Sequence, residues 1–486
     1  MYRLREMDVD DKVCEQVSMT MLEEVYPQAI IERWVRQSQP WSTKARRVRA
    51  STGLALVLFV IGMALWSRLN QCQVWQKLVG KLSALHPAEP TSTMSDSGVS
   101  GGRQRLGSSC LQALMRQRCQ LIAQKERMPG AFFGRYRLMA IDGTLFNTPD
   151  TEANAAAFGG SSNQYGPCPY PQVRCVLLAE CGSHAVVGLD IEGYEVSEVH
   201  GAHRLLEQIG PNMLVLQDAG ITSGGFLEHV RERGAHALGA LEAGRWERPL
   251  KPRRLADGSV LCWIGPTCRP SRVHYPVQRG MWVRIISYRV TDERLGEPGK
   301  VYRLVTTLLN PRVAPALALI GLYHERWEIE LVIDEIKTHE RAQRKVLRSK
   351  TPEGVRQELY GIYLAHYAVR FVVAQAAVKA ELDPDRLSFS EGLFELTEMM
   401  DLAQTLEPTE ATLLSLRARL REKMAQHVLP PRRLRINRRE IKQLCKKYKP
   451  KQRQVPPSAP FDPEDQFLDF VDLLDPLALQ TTRAGP

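Results

Sequence analysis

YHERWEIELVIDEIK, residues 323–337, sets four polar residues in one line: Tyr323, Arg326, Glu330 and Lys337. Their successive offsets are three, four and seven residues. On a helix turning about 100° per residue they point at roughly 0°, −60°, −20° and −40°, which is one narrow face. Leu322, Ile329, Ile333 and Ile336 form an apolar stripe beside it, so the predicted helix packs against a core. A carboxylate ranked with a phenol, a guanidinium and an ammonium is a set suited to holding a metal while gripping phosphates. Taken alone, the line reads first as a solvated face with an Arg/Glu pair one turn apart. Of the other acids on the stretch, Glu325, Glu328 and Glu335 point roughly −160°, +140° and +120° away, while Asp334, at roughly +20°, is the alternative to Glu330.

Upstream, short apolar runs with strand composition occupy residues 137–141, 173–180, 184–191 and 213–217, with helical stretches near 197–208 and 226–233. Strands interleaved with helices predict an α/β sheet. Two of these strands are read as ending in an acid, LMAIDGT with Asp142 and LVLQDAG with Asp218. Carboxylates at the carboxyl ends of strands sit where open α/β sheets place their active sites. Residues 240–310 break the alternation, with candidate strands at 260–264, 280–290 and 300–309 and no convincing helix, and predict a β-rich insertion. Three carboxylates brought together repel one another unless a cation lies among them. Asp142, Asp218 and Glu330 therefore imply a metal, and oxygen-only ligands suit Mg2+ or Mn2+. Two such ions about 4 Å apart are the template for in-line phosphodiester cleavage. Asp190 and Glu198 are weaker candidates.

With 486 residues the chain is longer than one core usually supports, so several units are expected. The formal net charge is +11, and its placement is uneven. Between Arg432 and Arg453 eleven Lys or Arg face Glu440 alone, so this segment holds +10 of that charge. Arg103 and Arg105, in RQRLG, follow the Pro/Ser/Gly-rich residues 86–102, read as a loop; a basic cluster there suits a DNA backbone or a solvated helix end. The ten cysteines show no metal-binding spacing and read as thiols in a reducing compartment, without disulfides. The charged N-terminus lacks a secretory pattern, and the expectation is a cytoplasmic, nucleoid-associated protein. GLALVLFVIGMALW, residues 53–66, is shorter than the roughly 20 residues that cross a bilayer, so a core helix is expected and no membrane. Amphipathic residues 13–37 and helices near 111–124, 352–380 and 389–406 complete the pattern, and the acidic FDPEDQFLDFVDLLDPL tail is read as disordered or folded back on the basic stretch.

Tyr-x2-Arg-x3-Glu-x6-Lys, as Tyr323, Arg326, Glu330 and Lys337, resembles the signature of the insertion-sequence-four family of DDE transposases. The resemblance extends in one collinear order through KARRVRASTGLALVLFVIGMAL, RQRLG, AIDGT, YPQVRCVLLAECGSHAV, MLVLQDAG, LRSKTPEGVRQELYG, LSFSEGL and PPRRLRINRREIK. It implies an RNase H-like α/β catalytic core interrupted by a β-strand insertion, with a helical N-terminal domain and a helical, basic C-terminal region. The implied division is a DNA-end-binding domain at 1–128, core at 129–239, insertion at 240–310, core and helices at 311–406, a basic region at 407–460 and an acidic, disordered tail at 461–486.

By the same resemblance Asp142, Asp218 and Glu330 bind two Mg2+ or Mn2+ ions, and Tyr323, Arg326 and Lys337 contact phosphates. Tyr302 falls where the family stacks a flipped base, with Tyr in place of its usual Trp. Ala219 replaces an Arg common after the second Asp. Arg103, Arg105, Arg348 and Lys350 are further DNA contacts. The implied activity is cut-and-paste transposition: binding of terminal inverted repeats as a homodimer or higher assembly, hydrolysis, then attack of the 3′-hydroxyl on target DNA. The alternatives are a catalytically inactive DNA-binding derivative and a protein anchored to a membrane by residues 53–66.

Overall fold

Apolar runs bounded by turn residues set the elements in a computed structural model, which describes residues 22–38, 53–85, 95–163, 166–242, 250–266, 275–292, 299–340, 345–403, 406, 409–430 and 467–477. Residues 13–21, the linker residues 86–94, the basic stretch 432–453 and the tail residues 461–466 lie outside them. The helices are α1 (Gln28–Ser38), α2 (Gly53–Leu65), α3 (Gln71–Leu85), α4 (Asp96–Leu106), α5 (Ser109–Arg118), α6 (Glu152–Phe158), α7 (Glu198–Arg204), α8 (Gly224–Glu232), α9 (Ala316–Tyr323), α10 (Trp327–Asp334), α11 (Pro352–Lys379), α12 (Phe389–Ala403) and α13 (Glu410–Met424). The strands are β1 (Phe132–Phe133), β2 (Tyr136–Asn147), β3 (Ser162–Asn163), β4 (Gly166–Pro167), β5 (Gln172–Glu180), β6 (Val186–Gly193), β7 (Met213–Gln217), β8 (His236–Ala240), β9 (Leu250–Arg254), β10 (Val260–Ile264), β11 (Met281–Val290), β12 (Val301–Thr306) and β13 (Val471–Leu474).

The chain divides into two units, residues 1–208 with 327–430 and residues 209–326 with 431–486. In the first, β5 pairs antiparallel with β2 on one side and β6 on the other, and β1 folds onto β2. The N-terminal helices belong to this unit, and α2 packs against α11. All thirteen α2 residues are buried, and each fully buried Leu, Val or Phe side chain contributes about 1.5–3 kcal/mol. α11 is long and apolar enough to cross a bilayer, yet 83% of its apolar window is buried within the chain. Both are core helices, as expected for residues 53–66. Gly361 is what lets the two approach, since a Cβ there would lie 2.6 Å from the Val60 carbonyl oxygen.

In the second unit β7 and β8 are parallel, joined through α8. From β8 the order runs antiparallel through β12, β11, β10 and β9. The expected β-rich insertion is therefore a set of strands continuing from β8. Arg284 in β11 is buried and pairs with Asp257, and the same carboxylate accepts from Ala316 N at 3.0 Å, at the start of α9. Burial opposes ionisation of Asp257, but bonds from Ser259 and the charge of Arg284 hold its carboxyl below the usual range.

The structure corrects four sequence readings. β2 runs on to Asn147, paired with β5 throughout, so Asp142 lies inside a strand and not at its end. The Gly-rich residues after 95 form α4, capped by Ser95 Oγ accepting from Gly98 N. The continuous helix expected across 323–337 is three pieces: α9 ends at Tyr323, a 3-10 turn covers His324–Arg326, and a π turn follows α10 over Glu335–Glu340. Finally, residues 467–477 of the tail are folded: β13 pairs with β11, Arg254 bridges Asp475 at 2.7 Å, and Phe467 meets the His324 ring edge-on at 4.2 Å. Apolar residues at 467, 468, 470, 471, 473 and 474 supply that fold despite the acids between them.

Gly361→Val is expected to force α2 and α11 apart at a cost of about 1–3 kcal/mol. An unchanged urea midpoint for this variant would mean the close approach at Val60 does not exist.

Candidate active site

In the first unit Asp142 shares one face of β2 with Thr144 and Phe146, because alternate residues of a strand point the same way. α10, which carries Glu330, packs against β2. Lys337, in the π turn beyond it, sets its ammonium 5.3 Å from the centre of the Phe146 ring. The structure therefore brings the strand of Asp142 and two members of the polar line, Glu330 and Lys337, together. Asp142 Oδ1 accepts from Gly143 N at 2.7 Å, which orients the carboxylate. Asp142 and Glu330 are both half-buried. π turns within helices occur often at functional sites, and this one shifts Lys337 from the direction a uniform α-helix gives.

In the second unit Asp218 follows the last residue of β7, as the sequence predicts. Its Oδ1 accepts from Ile221 N at 3.0 Å. Tyr323, the last residue of α9, donates its hydroxyl to the carbonyl of Gln217 at 3.1 Å, next to Asp218. The 3-10 turn eclipses residues three apart, and Arg326 accordingly lies 5.8 Å from the centre of the Tyr323 ring. Burial pushes the Tyr323 phenol up to about 12, with Arg326 opposing the shift and Asp218 adding to it. Tyr302 stacks on Tyr288 with ring centres 5.3 Å apart, and Lys300 lies over its ring at 5.1 Å.

The rival carboxylates are engaged elsewhere. Glu198 pairs with Arg174 at 2.5 Å and lies against Gly143, on the face of β2 opposite Asp142. Asp190 shares Arg204 with Glu192. Asp334 accepts from Thr338 Oγ1 at 2.9 Å. Glu328 and Glu335 are buried on the far side of the helix from Glu330, both against His184. Sequence reading missed that cluster, since His184 lies more than 140 residues from either glutamate and no local pattern links them.

The outlying basic residues divide. Arg103 is buried and donates to Gln357 Oε1 at 3.2 Å, Ser349 Oγ at 3.0 Å and the Gly354 carbonyl at 2.9 Å. Arg348 donates to the carbonyls of Ser67 and Leu69, closing the turn between α2 and α3. Helix α4 turns Arg103 inward where a loop would have left it exposed, a correction to its reading as a DNA contact, while half-buried Arg348 braces the turn between α2 and α3. Arg105 is half-buried and Lys350 exposed.

Residues 133–368 match the transposase DDE domain family, and residues 16–116 match the insertion element 4 transposase N-terminal family. The chain is 31% identical over 391 residues to transposase InsG for insertion sequence element IS4 of Escherichia coli (strain K12), covering 80% of this chain and 85% of that protein. It is 29% identical over 144 residues to putative transposase InsZ of the same organism, covering 29% of this chain and 48% of that one. A cryo-EM structure of a piggyBac transposase synaptic complex with hairpin DNA aligns with a TM-score of 0.44 and 12% identity, over 84% of this chain and 86% of that one.

A raised tyrosine pKa favours the protonated phenol in the folded chain, so its stabilisation is complete below the ordinary value of about 10 and is lost as pH rises through about 12. Tyr323→Phe removes the bond to Gln217 and is expected to cost about 1 kcal/mol at neutral pH. It is also expected to lessen the alkaline loss of stability above pH 10, measured by urea unfolding at two pH values. Equal alkaline losses would place the titrating group elsewhere.

Proposed function

The chain belongs to the DDE transposases of the insertion element 4 kind, and from that premise we propose that Asp142, Asp218 and Glu330 are the metal-binding catalytic carboxylates of an RNase H-like core. The protein is a DNA transposase, an enzyme of DNA strand chemistry. The observation that carries the residue assignment is the packing of α10 on β2, with Lys337 laid on Phe146, which unites Glu330's helix with Asp142's strand.

The donor set fits the cation the family implies. All three side chains offer only carboxylate oxygens, which suit Mg2+ or Mn2+. Backbone N–H groups already orient two of them, from Gly143 and Ile221. Two divalent ions, when bound, activate an attacking oxygen and stabilise the departing one. The chain's own residues do the rest. Arg326 offers a planar fork to a phosphate and Lys337 a point charge. Tyr323 keeps its proton at neutral pH, so its hydroxyl is a neutral donor beside Asp218. Tyr302, backed by Tyr288, is a stacking platform for a displaced base.

The proposed reaction is cut-and-paste transposition, in which the protein binds the terminal inverted repeats of its element as a homodimer or higher assembly. Hydrolysis frees a 3′-hydroxyl, and that hydroxyl then attacks target DNA, with no covalent enzyme intermediate. Arg105, Lys350 and the basic residues 432–453 add phosphate contacts.

Asp142→Asn, Asp218→Asn or Glu330→Gln is expected to lower cleavage of an end-containing duplex on the order of 10³-fold, about 4 kcal/mol of barrier, while largely sparing end binding. Normal cleavage by any one of them removes that residue from the triad, and a wild-type chain that binds ends but never nicks DNA with Mg2+ or Mn2+ would be an inactive derivative.

Phosphate contacts make affinity fall steeply with salt. Neutralising four of the basic residues between 432 and 453 is expected to flatten that dependence by a slope of about 0.9 per lost contact. An unchanged slope, read from binding at several salt concentrations, excludes the segment from DNA.

A further inference from the structure

Three side chains of the first unit converge on a buried point that the strand chemistry does not use. His184 lies in the turn between β5 and β6 with a left-handed φ of 59°, Glu328 in the first turn of α10, and Asp385 in the turn Pro384–Arg386 between α11 and α12. His184 Nε2 is 3.8 Å from Glu328 Oε2 and 3.2 Å from Asp385 Oδ1. One ligand atom from each of the three lies within 4.8 Å of the other two. The side chains are 2%, 4% and 13% exposed. Bonds of about 2.0–2.2 Å to imidazole nitrogen and carboxylate oxygen separate neighbouring ligands of a tetrahedral ion by about 3.3–3.6 Å. The observed spacings bracket that range.

The imidazole is also held from behind. Its Nδ1 lies 2.9 Å from Glu335 Oε1 and 2.7 Å from Arg370 Nη2. Glu335 Oε1 accepts from Nδ1 only in the tautomer protonated there, whereas Arg370 Nη2 donates to Nδ1 only in the other; in the first, the Nε2 lone pair faces two carboxylates, which is the carboxylate–imidazole arrangement that backs a metal. Two carboxylates this close to the imidazole are compensated either by a proton on Nε2 or by a cation held among the three groups.

We propose that His184, Glu328 and Asp385 form a structural site for a divalent transition ion, Zn2+ foremost. One imidazole nitrogen with two carboxylate oxygens, leaving a position for water, is a borderline donor set that suits Zn2+ better than Mg2+. On α10, Glu328 stands two residues from Glu330, about 200° around the helix, so the two carboxylates serve opposite sides. An ion there ties the helix of Glu330 to the β5–β6 turn and to the segment after α11. This inference does not rest on the catalytic assignment, because its residues and its readouts differ.

The test uses the full chain carrying Asp142→Asn and Glu330→Gln, stripped with a chelator and dialysed against Zn2+ alone. One equivalent is expected to stay with each chain by elemental analysis and to raise the melting temperature, and adding Asp385→Asn is expected to abolish both. Mn2+ in place of Zn2+ gives a readout that needs no further variant. Pulsed electron paramagnetic resonance should show nitrogen coupling from the imidazole, which an oxygen-only site cannot supply. No retained Zn2+, retention that survives Asp385→Asn, or bound Mn2+ without nitrogen coupling overturns the proposal. The cluster would then be an ion network in which the imidazole itself donates to Asp385.

Discussion

The carboxylate of Glu335 is the fixed point of the first unit. It stands where α10 gives way to the π turn, between Glu330 and Lys337. Arg370 Nε and His366 Nε2, both from α11, reach it at 3.0 and 2.9 Å, and His184 reaches it from the β5–β6 turn. Burial alone would raise its pKa, but Arg370 and then His184 outweigh that and hold the carboxyl well below the usual range. Burial in turn lowers the pKa of His366. Taking one partner from a buried pair costs about 3–5 kcal/mol. The junction between Glu330 and Lys337 is thus anchored by an ionised group buried within the first unit.

The second unit solves a similar problem with a cation. Arg284 is wholly buried in β11 and is tied through Asp257 to the first turn of α9, and Tyr323 at the other end of α9 bonds to the strand end of Asp218. One short helix is pinned at both ends, so the phenol and the guanidinium of Arg326 are set by the strands on which α9 rests. His324 shows how dry that corner is: burial under Phe467 drops its imidazole to about 4.

What the sequence made legible followed from local pattern. MLVL is an unbroken apolar run followed by Gln-Asp-Ala-Gly, and β7 stops before Asp218. VLCWI was read to the residue as β10. The angular argument separated Glu328 and Glu335 from Glu330, and the structure buries both against His184. The misreadings came from distant contacts overruling local signals. AIDGT reads as a strand end because Asp and Gly are weak strand formers, yet pairing with β5 carries β2 through them. The break after Tyr323 has no Gly or Pro to announce it. Buried Arg103 looked like any exposed basic residue, since its partners Ser349, Gly354 and Gln357 lie far along the chain.

The strand β13 has a genetic consequence. Every residue assigned to catalysis and phosphate contact within the described chain precedes residue 351, yet β11 and His324 are completed by residues 467–474. A reading frame interrupted between residues 454 and 466 keeps all of unit 1 and the basic residues 432–453 but none of this cover. Nonsense lesions in that short interval are therefore expected to act as folding alleles of the second unit, although they spare every side chain assigned to catalysis or phosphate contact.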